Sequence, residues 1–188
     1  MSSTFDATNA VLFDLRNGSV SAPCGGDQRL LLVPAEAIDE VVRTGGAAAG
    51  VAVGLILGAA CGRRAASRLG GSSAVTAAPL EAVITQLGGE LSMAGLGALS
   101  IERWGRAMVL VLDRAAIVDD GVTAAVLQGA LVAATGRPLG CTALGRDGST
   151  VRVLVASSKG VERARVLLGQ GLTWGDVLAR LHARGSVA

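Results

Sequence analysis

The sequence predicts an α+β domain in which helices pack on one face of an antiparallel sheet, preceded by an N-terminal β-meander. Three observations carry that expectation. Glycines recur every fourth residue from Gly46 to Gly62 inside an uncharged stretch, which on a helix makes one ridge without side chains. Short β-prone runs joined by tight turns occur on both sides of that stretch. The composition, 51% hydrophobic with positive mean hydropathy (+0.53) over 188 residues, supplies a sizeable core.

The chain divides in order. Residues 1 to 9 are polar and read as frayed. Ala10 to Arg16 alternates as a strand, Asn17-Gly18 is a hairpin signal, and Ser19 to Ala22 begins the return. A turn at Cys24 to Asp27 leads to a third strand, Arg29 to Val33, and Pro34 opens a short helix through Ile38 to Val42. This is a first unit, residues 1–43.

The ridge helix, Thr44 to Leu69, organises the second unit, residues 44–157. An interior glycine costs about 1 kcal/mol relative to alanine, so several in one helix require an offsetting gain from another backbone packed very close. A flexible break, Gly70 to Ser73, precedes an amphipathic helix started by Pro79. Its buried side is Leu80, Val83, Ile84, Leu87, Leu91 and Met93, expected to pack back on the ridge.

Leu99 to Trp104 and Ala107 to Leu112 then form a strand pair turned at Gly105-Arg106. The second strand is apolar almost throughout, as happens when both sheet faces are covered, here by helices on one side and a loop or partner on the other. Asp119-Asp120 caps a helix through Ala134, ended by Gly136-Arg137-Pro138. That paired carboxylate invites a metal or acid role, but a helix N-terminus already favours anionic residues. A hairpin, Leu139 to Leu144 and Thr150 to Ala156, turns at Asp147-Gly148. Two helices follow in the third unit, residues 158–188, the second with Trp174 pinning it to the body.

The composition restricts the chemistry. Aromatic residues are 2% and tyrosine is absent, which removes the usual base-stacking platforms, and the arginines are scattered at net charge +2. No nucleic acid partner is expected. Cys24, Cys61 and Cys141 are widely spaced without a CxxC pair, and the single histidine, His182, sits beside arginines of the last helix in a solvated role. No catalytic residue, metal site or cofactor is expected, and the cysteine usage fits a reducing cytoplasm. The candidate reactive thiol is Cys61, where Arg63 and Arg64 would lower its pKa; the commoner role of such a cysteine is that of a small buried hydrophobe.

The ridge also allows a transmembrane reading of residues 44–62, which is uncharged, carries GxxxG spacing and is followed by arginines. It is short and poor in large apolar side chains for that purpose, so a buried helix is the preferred reading and membrane insertion the alternative. A secretory signal is rejected, since some forty residues of folding sequence come first. A phosphate-loop reading fails because no Gly-Lys-Ser/Thr ending follows.

The order of these elements resembles the small 4-vinyl-reductase-type domain and its relatives among the TRAPP vesicle-tethering subunits. The likeness spans roughly residues 44–157 and is carried by Gly50, Gly54 and Gly58, by Gly95-Leu96-Gly97, by Gln128-Gly129-Ala130-Leu131, by Gly136-Arg137-Pro138, and by Asp147-Gly148 before the strand Val151 to Val155. Relatives that handle ligand or metal carry cysteines around that last hairpin. The nearest positions here, Leu144 and Val151, are aliphatic, and Val153 stands where an aromatic is usual, so no cysteine-based function is carried over.

What the resemblance implies is a domain often dimeric through its helical face, with a pocket that in relatives holds a small apolar molecule or acyl chain. The leading expectation is a non-enzymatic homodimeric scaffold or adaptor. The alternative is a sensor binding an apolar ligand between the ridge, the helix Leu80 to Met93 and the strand Ala107 to Leu112. Gly50, Gly54, Gly58, Ile56, Leu87, Leu91 and Leu110 are the candidate interface or pocket residues.

Overall fold

The computed structural model describes residues 4–24 and 28–183. Part of the turn expected at Cys24 to Asp27, and the segments 1–3 and 184–188, lie outside the described residues. The N-terminal meander is present as β1 (Leu12–Asp14), β2 (Ser19–Ala22) and β3 (Gln28–Leu30), a three-stranded antiparallel sheet in that order. Its register pairs Phe13 with Val20 and Val20 with Leu30. The third strand is shorter than the run Arg29 to Val33 suggested. Leu31, Leu32 and Val33 lie beyond the ladder, exposed, and Pro34 then sets the start of a helix.

The short helix after Pro34 and the ridge helix are one element, α1 (Ala35–Arg68), interrupted where Gly46 takes φ +76°. That left-handed backbone favours a residue without Cβ, which is why the interruption falls on a glycine and not on a neighbouring alanine. The expected break after the ridge contains a short helix, α2 (Ser72–Ala77), and α3 (Leu80–Met93) follows Pro79. Val83, Ile84, Leu87 and Leu91 are buried on α3, while Met93 at its end is exposed.

The central sheet comprises β4 (Ala98–Trp104), β5 (Ala107–Asp113), β6 (Gly140–Asp147) and β7 (Thr150–Ala156) in the order β4-β5-β7-β6, antiparallel throughout. Between its hairpins runs α4 (Asp120–Thr135). Asp119 caps it by accepting from the Val122 amide at 2.8 Å, and Gly136 closes it in the left-handed conformation. Asp120, the other carboxylate, accepts from Arg146 Nε at 2.7 Å, so the acidic pair serves a cap and an ion pair.

α1, α3 and α4 cover one face of the sheet, where Leu110, Leu112, Val151 and Val153 meet Leu87, Leu91, Val126 and Leu127. The other face carries α5 (Ser158–Gly169) and α6 (Trp174–Ala183), whose Ala164, Leu167, Val177 and Leu178 pack on Val109, Leu144 and Leu154. The second cover expected from the apolar β5 is thus the chain's own C-terminal pair and not a loop or partner. Trp174 meets Trp104 edge to face at 5.0 Å, and His182 Nε2 lies 2.7 Å from the Trp104 carbonyl, which fastens α6 to the β4–β5 turn.

A buried charged centre between two helices

The ridge glycines face α4. A Cβ on Gly54 would lie 2.8 Å from the Val122 carbonyl oxygen, and one on Gly58 or Gly62 would overlap the backbone at Val126 or Ala130. α4 answers in kind, since a Cβ on Gly129 would overlap the Leu55 carbonyl. The two helices touch through backbone, which is the close approach that offsets the glycines' propensity cost. The neighbour of the ridge is therefore a helix of the same chain, and α4, not α3, is the one the glycines admit. Gly50 sits against Val42 and Val122 at the upper end of this contact.

The other expected pocket or interface residues divide. Leu87, Leu91 and Leu110 are fully buried in the core shared by α1, α3, α4 and the sheet. Ile56 is 68% exposed on the opposite side of α1 from the glycines. Cys61 is buried where α1 meets α3, beside Arg64, its expected neighbour, and beside Glu90 and Arg68, which the sequence reading does not mark.

Those residues form a charged centre. The Glu90 carboxylate of α3, 2% exposed, accepts from Arg64 Nε at 2.6 Å on one oxygen and from Arg68 Nε at 2.7 Å on the other. Arg64 is itself 6% exposed, and its Nη2 donates to Cys61 Sγ at 3.5 Å. The Cys61 thiol donates in turn to the Glu90 carbonyl at 3.9 Å. Gln86, one turn before Glu90, is also buried. Two guanidinium groups thus share one carboxylate inside the fold, an arrangement that persists only because its members hydrogen-bond one another.

Above this centre lies Phe5. Its ring packs on Gly89, where a Cβ would collide with it, and the Arg68 guanidinium carbon is 4.7 Å from the ring centroid. Arg68 Nη2 is enclosed and has no hydrogen-bond partner. The amino-terminal segment expected to fray is therefore packed at Phe5.

A sequence signal for the centre existed. Glu90 falls three residues after Leu87 on the apolar side of its helix, and Cys61, Arg64 and Arg68 fall at spacings of three and four on one face of α1. A carboxylate on a buried stripe needs a cation, and these arginines were the matching pair.

Burial pushes the Cys61 thiol up, and the opposing pull of Arg64 is the smaller effect. The expected lowering by Arg63 and Arg64 does not hold. Arg63 points to solvent, and desolvation of the thiolate outweighs one neighbouring cation. Cys141, also buried, is pushed up to about 12 by desolvation. No group of three or more His, Cys, Asp or Glu placed to hold a metal ion occurs among the described residues.

No family model and no curated protein matches this sequence. A solved structure does. The crystal structure of the phenol-responsive sensory domain of the transcription activator PoxR with phenol superposes at TM-score 0.60 with 15% identity, covering 88% of this chain and 98% of that one. The two chains share a fold.

Proposed function

We propose that this chain is a sensory domain that binds a small, largely apolar molecule through the helical side of its sheet. The observation that carries the reading is the fold shared with a phenol-responsive domain along nearly the whole length of both chains. It favours the ligand-binding alternative over the TRAPP-like scaffold, for which no comparable feature speaks. A raised thiol pKa at Cys61 fits binding better than nucleophilic catalysis, because the thiolate is the reactive form.

Thermal unfolding of the purified chain with and without phenol, toluene and benzoate tests the reading. A ligand that binds the folded state at 100 times its Kd stabilises it by about 2.7 kcal/mol, a shift of several degrees. If no such compound moved the transition, the sensory reading would fall.

One observation favours self-association as well. The side of α1 turned away from the ridge, Ala48, Val51, Ala52 and Ile56, is exposed and apolar. α1 is also long and apolar enough to cross a membrane by length and composition, but the ridge side of that same helix is spent on α4. We read this outer surface as a contact with a second copy. Light scattering should give twice the monomer mass for the wild type and a monomer for Ile56→Glu; a monomeric wild type, or a variant that still dimerises, removes this reading.

A further inference from the structure

We infer that Phe5 occupies the place of a small aromatic carboxylate, and that the ligand binds by displacing this side chain from Gly89 and Arg68. The inference rests on the sensory reading and names the ligand class and the means of control at one site. Four features on the two helices and the amino-terminal segment carry it.

The place is shaped for a flat ring. Gly89 offers bare helix backbone, and the Phe5 ring lies on it so closely that no side chain could be accommodated there. It is also cationic. Arg68 contributes its guanidinium to the ring at 4.7 Å, and two arginines face the single Glu90 carboxylate beneath. An enclosed donor is left over, because Arg68 spends Nε on Glu90 while Nη2 has no acceptor. A phenyl side chain has no acceptor to offer it, whereas a ring bearing a carboxylate would satisfy that donor and balance the second guanidinium.

The fourth feature is the plug's attachment. Phe5 belongs to the irregular segment that precedes β1, is only half-buried, and is flanked by exposed residues on both sides. A ring so held can leave without unfolding the helices. Release would free the segment Thr4 to Asn9, which leads directly into the meander, so occupancy at Arg68 would be reported at the amino-terminal sheet. Glu90 stays paired with both arginines throughout, so the ligand replaces the Phe5 ring at Arg68, adds an acceptor for Nη2 and leaves the ion pairs in place.

A plug that fills the site nine-tenths of the time weakens the apparent affinity about tenfold. Calorimetric titration with benzoate should therefore show Phe5→Ala binding about tenfold more tightly than the wild type. In the Phe5→Ala background, Arg68→Gln should lose most of that affinity, Gly89→Ala should lose it as well, and toluene should gain less than benzoate. Equal benzoate affinity in wild type and Phe5→Ala, or indifference to Arg68→Gln, overturns the inference.

Should Phe5→Ala fail to fold, the wild type serves instead. The chain has two phenylalanines, so labelling with 4-fluorophenylalanine gives one resonance from Phe5 and one from the exposed Phe13. Benzoate should move the first toward its solvent-exposed position and leave the second in place. An unmoved Phe5 resonance at a benzoate concentration that raises the melting temperature refutes displacement. A compound that stabilises the protein with no dependence on Phe5 or Arg68 would leave the sensory reading standing and sink this one, whereas silence of every compound on every variant would sink both.

Discussion

Glu90 is the carboxylate that two arginines, Arg64 and Arg68, share. Removing its charge leaves the buried Arg64 and the part-buried Arg68 without a counter-ion, and breaking a buried pair from one side costs about 3–5 kcal/mol. Glu90→Ala should accordingly lower the urea midpoint severely, and Glu90→Gln should recover only part of the loss, since an amide accepts from one arginine without neutralising it. The thiols give a second expectation. Cys61 and Cys141 are buried with raised pKa, so under native conditions a thiol reagent should reach Cys24 first and the other two only on unfolding. The sign of the pH dependence follows. Cys141 stays protonated in the folded state up to about 12, while its ordinary value is 9.0, so above about pH 9 the unfolded chain loses a proton that the folded chain keeps. Its contribution to stability is complete below that value and declines as pH rises toward 12. Cys61 acts in the same direction. Unfolding midpoints measured across this range should fall more steeply for the wild type than for Cys141→Ala.

Between elements, the contact of α1 with α4 is the one most sensitive to small additions of volume. Alanine in a helix is ordinarily better than glycine by about 1 kcal/mol, so any loss at Gly58→Ala must come from the new methyl meeting the α4 backbone. Overpacking usually costs about 1–3 kcal/mol, and backbone cannot rotate aside as a side chain can. Gly58→Ala and Gly129→Ala should each destabilise the protein, and chemical denaturation of both single variants measures it. Gly54→Leu, which would push far more into the contact, should separate the helices or prevent folding. The ridge was legible because glycine spacing is periodic and local. Its neighbour was not, since α3 and α4 are both apolar with interior glycines, and only the backbone of Leu55 against Gly129 singles out α4.

At the scale of the molecule, the sheet is covered twice over, by α1, α3 and α4 on one side and α5 with α6 on the other. Cutting the chain after Ser157 would expose Val109, Leu144 and Leu154, and the truncated protein should aggregate in size-exclusion chromatography and bind a hydrophobic dye. The fold class, the antiparallel hairpins, the caps at Asp119 and Gly136 and the near boundaries of α3 and α4 were all written locally, in alternation, turn residues and helix ends. The candidate site was not. Arg64, Arg68, Glu90 and Phe5 come from three separated stretches, and of these only Arg64, as a neighbour of Cys61, is marked by the sequence reading.

Local chemistry therefore determined which segments became helix or strand, and the glycine row determined that one helix would lie against another backbone. Which backbone that was, and that a carboxylate on α3 would meet two arginines of α1 beneath a phenylalanine, depended on how the layers stacked. Propensity and periodicity act over a few neighbouring residues, whereas a buried charge chooses its counter-ion by distance through space, and that distance exists only once the chain has closed on itself.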